Sequence, residues 1–251
     1  MELTEAQRQE LAVNGFVRIP GVIPREKVDA ALRAINGSIG ERGIPPEDLP
    51  VLRSRSYCPE LGGEAVITGL FEQTPFRGLA ESAIGVGKVA PVGGGQIALR
   101  FPASGPAREP HAHIDGMYTP TNGVPKGTIG NFTALAGVVL SDVDEAFWGN
   151  LTVWPGSHLL HAAWFKERGP QSLLEGMPQV ELPAPVQLTG RAGDVVLAHY
   201  LLAHGVAGNS GPHIRYGIYF RLNHVDHERT KWESMVDPWL EWEGMAAHRS
   251  A

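Results

Sequence analysis

Three side chains able to bind a metal stand at alternate positions in HAHIDG, residues 111–116: His111, His113 and Asp115. In an extended chain, residues two apart project from one face, so a pair of them can approach the same ion. A histidine and a carboxylate presented in this way offer one nitrogen and one oxygen. A distant second histidine would complete a triangle on one face of an octahedron and leave three positions open. That donor set suits Fe(II) chemistry with molecular oxygen.

Chance supplies such triplets, and His224-Val225-Asp226 is a second one. The two differ in the histidines downstream of them. After Asp115 come His158, His161, His199, His204 and His213 as candidates for a third ligand. After Asp226 only His227 and His248 remain, so His224 and Asp226 read as surface residues. Pairing His111 with His113 instead satisfies the opening of a cupin motif in GPAREPHAH (105–113). That motif next requires a glutamate where Met117 and Tyr118 stand, so the cupin set fails and His111 reads as a substrate or supporting contact, or as a solvated loop residue.

His199 and His204 share one apolar run, AGDVVLAHYLLAHG. Five apart on an uninterrupted strand they face opposite sides, so at most one can enter a cavity. VAGNSGP comes next and is rich in turn formers. A hairpin centred on Asn209-Ser210 would set His204 opposite Arg215. An arginine on a cavity face asks for a carboxylate, and a dicarboxylate cosubstrate would supply one through a bidentate pair.

The elements that must position these groups can be read from periodicity. Thr4 and Gln7 form a capping box and Gly15 a stop, giving a helix over 4–14. Phe16 to Ile19 comes after it as a strand. Pro24 opens a second helix, whose apolar positions Val28, Ala31, Leu32 and Ile35 recur up to Gly37. Residues 40–90 read as loops around a helix near 75–84. Short strands then occupy 95–101, 133–141, 151–154, 186–189, 194–203 and 214–222. The last alternates: Arg215, Gly217, Tyr219 and Arg221 share one face, and Tyr216, Ile218, Phe220 and Leu222 the other. Such a strand suits a sheet backed by helices on one side and lining a cavity on the other. The tail beyond 228 carries three tryptophans, which would pack a helix on the body. The expected fold is mainly β with flanking α-helices, a jelly-roll barrel in one domain over 1–251.

Composition narrows the function classes. With 43% apolar and 19% charged residues in a chain of 251, a packed core is expected. A formal charge of −6 and no clustered Lys/Arg argue against a nucleic-acid partner. Cys58 is alone, which excludes an internal disulfide and a zinc–thiolate cluster. MELTEAQRQE lacks the layout of a signal peptide, and no window is apolar enough for a membrane span, so a soluble, cytoplasmic protein is expected. GNSG lacks the nucleophile elbow of a serine hydrolase, and GVGKV lacks the ends of a phosphate-binding loop. No residue pattern bears on oligomeric state.

GNLTVWPGSH (149–158), then AGDVVLAHYLLAHGVAGNSGPHIR (192–215), together with His113-Ile114-Asp115 and the opening GFVRIPGVIP (15–24), resemble the phytanoyl-CoA dioxygenase family of Fe(II)/2-oxoglutarate oxygenases. The resemblance covers most of the chain, apart from 40–90 and the tail. It implies a double-stranded β-helix of cupin-like form, with His113, Asp115 and His204 as iron ligands at the catalytic centre. It further implies that Arg215 binds the distal carboxylate of 2-oxoglutarate, and Thr152 and Gln96, on strands expected to face the pocket, read as further cosubstrate contacts. The Pro155–His158 turn would be structural. The implied reaction consumes O2 and 2-oxoglutarate, releases succinate and CO2, and oxidises a small organic substrate. Hydroxylation is favoured, with desaturation or ring formation as variants, and Asp115 argues against halogenation. A cupin-type metalloenzyme that does not use 2-oxoglutarate, or a relative that binds metal or ligand without turnover, is the alternative. Specificity belongs in the loops at 40–90, 116–130 and 159–185. Arg53, Arg55 and Arg108 could meet an anionic substrate but read as solvated.

Overall fold

The computed structural model describes residues 1–248. Its N-terminus forms for the reasons visible in the sequence. The Thr4 hydroxyl accepts from the Gln7 N–H, and the Thr4 N–H donates to the Gln7 side chain, capping α1 (Glu5–Asn14). After β1 (Phe16–Ile19), α2 (Arg25–Arg42) starts behind Pro24 and runs past the expected stop at Gly37 to Gly43. Gly37 and Gly40 each cost the helix about 1 kcal/mol. Burial of Val28, Ala31 and Ile35, with Ile39 continuing the stripe against the core, outweighs that cost.

Between residues 40 and 90 there are three helices: α3 (Leu49–Ser54), α4 (Ala65–Glu72) and α5 (Pro75–Ile84). The remaining strands are β2 (Gln96–Arg100), β3 (Ala134–Val139), β4 (Leu151–Val153), β5 (Val186–Gln187), β6 (Val195–His199), β7 (His204–Val206) and β8 (Arg215–Leu222). Helix α6 (Ser157–Arg168) fills part of the long connection between β4 and β5, and α7 (His227–Thr230) and α8 (Glu233–Val236) lie in the tail. Two antiparallel sheets result, one ordered β1-β6-β3-β8-β2 and the other β5-β4-β7.

The expectation of a mainly β chain is corrected. Helical residues outnumber strand residues, and the sheets do not close into a barrel, so the fold is mixed α and β. The reading of 40–90 as loops around one helix hid this, because α3 and α4 start without a side-chain cap hydrogen bond and α3 buries none of its residues. Among the described residues no helix is long and apolar enough to cross a membrane.

The alternation in β8 divides the molecule. Ile218, Phe220 and Leu222 are fully buried beneath α2, α4 and α5, in a core that also takes Ile35, Phe71 and Phe76. The opposite face of the large sheet looks toward the small sheet and a second apolar cluster containing Leu135, Val153, Val196 and Phe165. A one-residue slip in β8 would exchange its faces, so burial on the helix side fixes which residues can line the space between the sheets.

The tail packs as an aromatic cluster. His199 stacks on Trp242 at 5.3 Å and meets Trp239 edge-on, while His158 lies 5.6 Å from both His199 and Trp239. Burial pushes His158 down to about 3 and His199 to about 4, so both stay neutral where an unfolded histidine would titrate near 6.5. The unfolded chain therefore takes up protons first as pH falls. Stability is expected to drop from about pH 6.5 towards the folded values, by roughly 1.4 kcal/mol per pH unit for each such histidine. Urea unfolding across pH 7 to 4.5 checks this. His158→Gln, which does not titrate, is expected to flatten the slope by one histidine's share, and an unchanged slope would remove His158 from the effect.

Candidate metal and anion site

The space between the sheets is a cavity of about 440 Å³, within the usual range for small-molecule sites. His113, Asp115, His204, Arg215 and Gln96 all line it. His113 reaches it through a single antiparallel bridge, not a full strand: its N–H donates to the His204 carbonyl and the His204 N–H donates back, both at 2.9 Å. Two residues 91 positions apart are thereby locked side by side, with ring centroids 4.7 Å apart. Gly205 permits the approach, because a Cβ there would fall 2.5 Å from the His111 carbonyl oxygen.

The donor atoms converge. Nε2 of His113 and of His204 lie 3.7 and 3.8 Å from Asp115 Oδ1, and one atom from each residue fits within 4.8 Å of the others. Each imidazole uses its Nδ1 on the carbonyl two residues earlier, His111 at 3.3 Å and Leu202 at 3.1 Å. A carbonyl only accepts, so Nδ1 carries a proton in each ring and Nε2 is left as the atom that points at the centre. The His113 ring opens on the cavity yet is enclosed by protein elsewhere. Burial and the neighbouring His204 lower it to about 4, which keeps it neutral at physiological pH.

Asp115 is held from the other side. Arg221 donates from Nε and Nη2 to Asp115 Oδ2, at 3.0 and 2.8 Å, leaving Oδ1 to the histidines. Burial works to raise the Asp115 pKa, but Arg221 and the two imidazoles outweigh it and the net displacement is downward. The Tyr200 hydroxyl holds the Asp115 backbone carbonyl at 3.0 Å. Two imidazole nitrogens and one carboxylate oxygen suit a divalent transition metal that keeps open positions.

Arg215 is 5% exposed. Its Nε donates to the Gly149 carbonyl at 2.6 Å and its Nη1 to the Ala98 carbonyl at 3.3 Å, while Nη2 is buried without a partner. A buried guanidinium nitrogen left unpaired is costly, and a carboxylate in the cavity would satisfy it. Gly149, at φ 76°, makes room for this arrangement, since a Cβ there would lie 2.9 Å from Arg100 Cβ and 3.1 Å from Arg215 Cβ. Gly149→Ala is expected to cost at least about 1–2 kcal/mol from its left-handed backbone alone. Urea unfolding measures it, and an unchanged midpoint would exclude the crowding.

The family model for phytanoyl-CoA dioxygenase (PhyH) matches residues 11–217. The chain belongs to the phytanoyl-CoA dioxygenase family. No curated protein matches it. Among solved structures it is similar to the non-haem alpha-ketoglutarate-dependent carbocyclase SnoK from nogalamycin biosynthesis, at 19% identity over 91% of this chain and 90% of that one, with a TM-score of 0.58. It is also similar to HygX from Streptomyces hygroscopicus with nickel and 2-oxoglutarate bound, at 18% identity over 90% and 88% of the two chains and a TM-score of 0.54. A third is the epimerase SnoN in complex with Fe3+, alpha ketoglutarate and nogalamycin RO, at 21% identity over 88% and 83%, with a TM-score of 0.51. These likenesses show a shared fold.

Within this phytanoyl-CoA dioxygenase family member, several expectations are placed differently. The run holding His199 and His204 is not one strand. It breaks at 200–202, where the Leu202 N–H turns back to the His199 carbonyl, so β6 joins the large sheet and β7 the small one. The parity argument for separating the two histidines therefore does not apply; they part because they sit in different sheets. The hairpin pairing His204 with Arg215 is absent for the same reason. His204 pairs with Val153, and Arg215 pairs with Arg100. Asn209 anchors the crossing between sheets, donating to the Arg100 and His213 carbonyls and accepting from Gly211.

Thr152 is displaced from its expected role. Leu151 and Val206 line the cavity, which turns Thr152 and its partner Gly205 to the opposite face, where Thr152 is fully buried. His224 is buried, not a surface residue: its N–H donates to the Thr133 hydroxyl and its Nδ1 accepts from Asp226, away from the cavity. His158 and His161 are buried on α6, with ring nitrogens on the Ala12 and Leu201 carbonyls, and His213 is exposed. The PGSH turn opens α6, and its Ser157 hydroxyl accepts from the Ala203 N–H, next to His204. His111 is exposed at the cavity rim and lies outside the converging donors. Arg53 on α3, Met117 and Met177, one from each of the three stretches expected to set specificity, line the cavity wall. Sequence reading missed Arg221 as the partner of Asp115 and Arg100 as the neighbour of Arg215. Each shares a strand face with an assigned residue or stands opposite one, which was the available signal.

Proposed function

We propose that this chain is an Fe(II)- and 2-oxoglutarate-dependent dioxygenase that hydroxylates a small organic substrate, in one domain whose two sheets form a jelly roll around the cavity. The observation that carries the reading is the unpartnered, buried Arg215 Nη2 in the same cavity as the His113–Asp115–His204 donors. Metal chemistry alone needs no such cation, whereas a dicarboxylate chelating through its keto acid end leaves a second carboxylate to be met. When bound, iron and 2-oxoglutarate supply, with O2, oxidation of a substrate C–H bond coupled to release of succinate and CO2.

The chain's residues would set the conditions for that chemistry. His113 and His204 present their Nε2 atoms, and Arg221 restricts Asp115 to Oδ1, so three ligand positions stay open. Arg215 pairs with the distal carboxylate and sets the orientation of the ketoacid. Gln96, on the cavity wall, offers an amide for a further contact. Ile114, Leu135, Leu151 and Val206 make the lining apolar around the donors, which limits water and strengthens every charge interaction inside.

The test is an anaerobic titration of metal-free protein with Fe(II) and then 2-oxoglutarate, tracking the visible iron-to-ketoacid charge-transfer band. A saturating band, with succinate formed on admitting O2 and substrate, supports the reading. Bound iron with no band would defeat it and favour a metalloenzyme that does not use 2-oxoglutarate.

A further inference from the structure

Arg100 and Arg215 are directly opposite on β2 and β8, so their side chains leave the same face together. Arg215 is buried in the cavity wall, Arg100 is half-buried beside it, and Arg53, on α3, is exposed and lines the same cavity. Among the described residues, no carboxylate pairs with Arg100 or Arg53. Asp115 is the one carboxylate in the lining, and Arg221 already holds its Oδ2. Burial and the charges of Arg215 and Arg53 act together to lower the Arg100 pKa, with only partial relief from Tyr57 and Tyr219.

Charge counting then constrains the ligand, given the oxygenase reading on which this inference rests. Fe(II) and dianionic 2-oxoglutarate cancel, as do Asp115 and Arg221. Arg53, Arg100 and Arg215 remain positive. The distal carboxylate, already counted in that dianion, is the contact for Arg215, so the excess of three positive charges stands and Arg100 and Arg53 are left without an anionic partner. Unpaired cations gathered in a partly enclosed pocket are costly unless an anion fills it, and such a run of charge also draws anions inward.

We propose that the prime substrate carries an oxyanion, a carboxylate or a phosphate, which Arg100 and Arg53 recognise. Guanidinium groups suit both, since each presents paired oxygens to a planar fork of donors. Gly149, lacking a Cβ, leaves space for the Arg100 stem to lie beside that of Arg215.

Calorimetric titration of anaerobic protein loaded with Fe(II) and 2-oxoglutarate tests this, with benzoate, phenyl phosphate and neutral benzamide as probes. At least one anion is expected to bind about tenfold or more tightly than benzamide, and the better of the two identifies the class. Arg100→Gln and Arg53→Gln should each weaken that anion by about tenfold, while Arg100→Lys, which keeps the charge, stays within roughly threefold of the wild type. The 2-oxoglutarate affinity of Arg100→Gln should match the wild type. Equal binding of benzamide and both anions, or unchanged anion binding in Arg100→Gln, overturns the proposal. So does a parallel loss of ketoacid affinity in that variant, which would assign Arg100 to the cosubstrate. Should the wild type give no ketoacid band, the oxygenase reading fails by itself. The same anion titrations on metal-free wild type and Arg100→Gln then decide this one, a tenfold difference supporting it and equality overturning it.

Discussion

His113→Ala and His204→Ala are each expected to abolish Fe(II) binding at micromolar protein, while His224→Ala binds iron as the wild type does. Losing an outer partner of a ligand costs roughly 10–100-fold in metal affinity, so losing a ligand itself should exceed that range. The two histidines are not interchangeable with the other buried ones. Their Nδ1 protons are committed to backbone carbonyls, which turns both Nε2 atoms toward Asp115. In His224 the Nδ1 accepts from the Asp226 N–H, and the nearest carboxylate to its Nε2 is Glu243, 3.9 Å away. Equilibrium dialysis with iron analysis checks all three variants. Stoichiometric iron in His204→Ala would remove it from the donor set.

Arg215→Ala is expected to keep iron but to weaken 2-oxoglutarate by about 30-fold or more. Removing one partner of a buried charge pair costs roughly 2–5 kcal/mol. The effect should be large here because Arg215 is buried, so its pairing with a carboxylate is little screened by solvent. Pyruvate, which lacks the distal carboxylate, should bind the variant and the wild type equally. The charge-transfer titration gives both affinities. Wild-type 2-oxoglutarate binding in the variant would leave the orphaned Nη2 without its assigned ligand.

The site was partly legible before the fold. Alternation in HAHIDG put His111, His113 and Asp115 on one face, the missing cupin glutamate narrowed them to His113 and Asp115, and alternation in β8 placed Arg215 and Arg221 on one face, because side-chain direction in extended chain has a period of two. Phase is harder to read than period. In the three-residue strand β4 nothing local says whether Leu151 or Thr152 faces inward, and the expectation for Thr152 was reversed. The break at 200–202 was equally hidden, since Tyr200, Leu201, Leu202 and Ala203 continue an apolar run without a Gly, Pro or Asn. The turn buries Tyr200, Leu201 and Leu202 in the second core, with the Tyr200 hydroxyl on the Asp115 carbonyl.

By itself the sequence determined whatever local physics can encode: the caps of α1, the start of α2, the inward faces of β8 and the identities of the candidate ligands. Family membership was legible too, since it rests on the order of short motifs along the chain. Only the tertiary structure decided that Arg221 meets Asp115 across 106 residues, that Arg100 stands beside Arg215, and that His224 is buried. Those contacts depend on which strands pair and how two sheets face each other. That choice is made by burying apolar surface over the whole chain, and no short window of residues contains it.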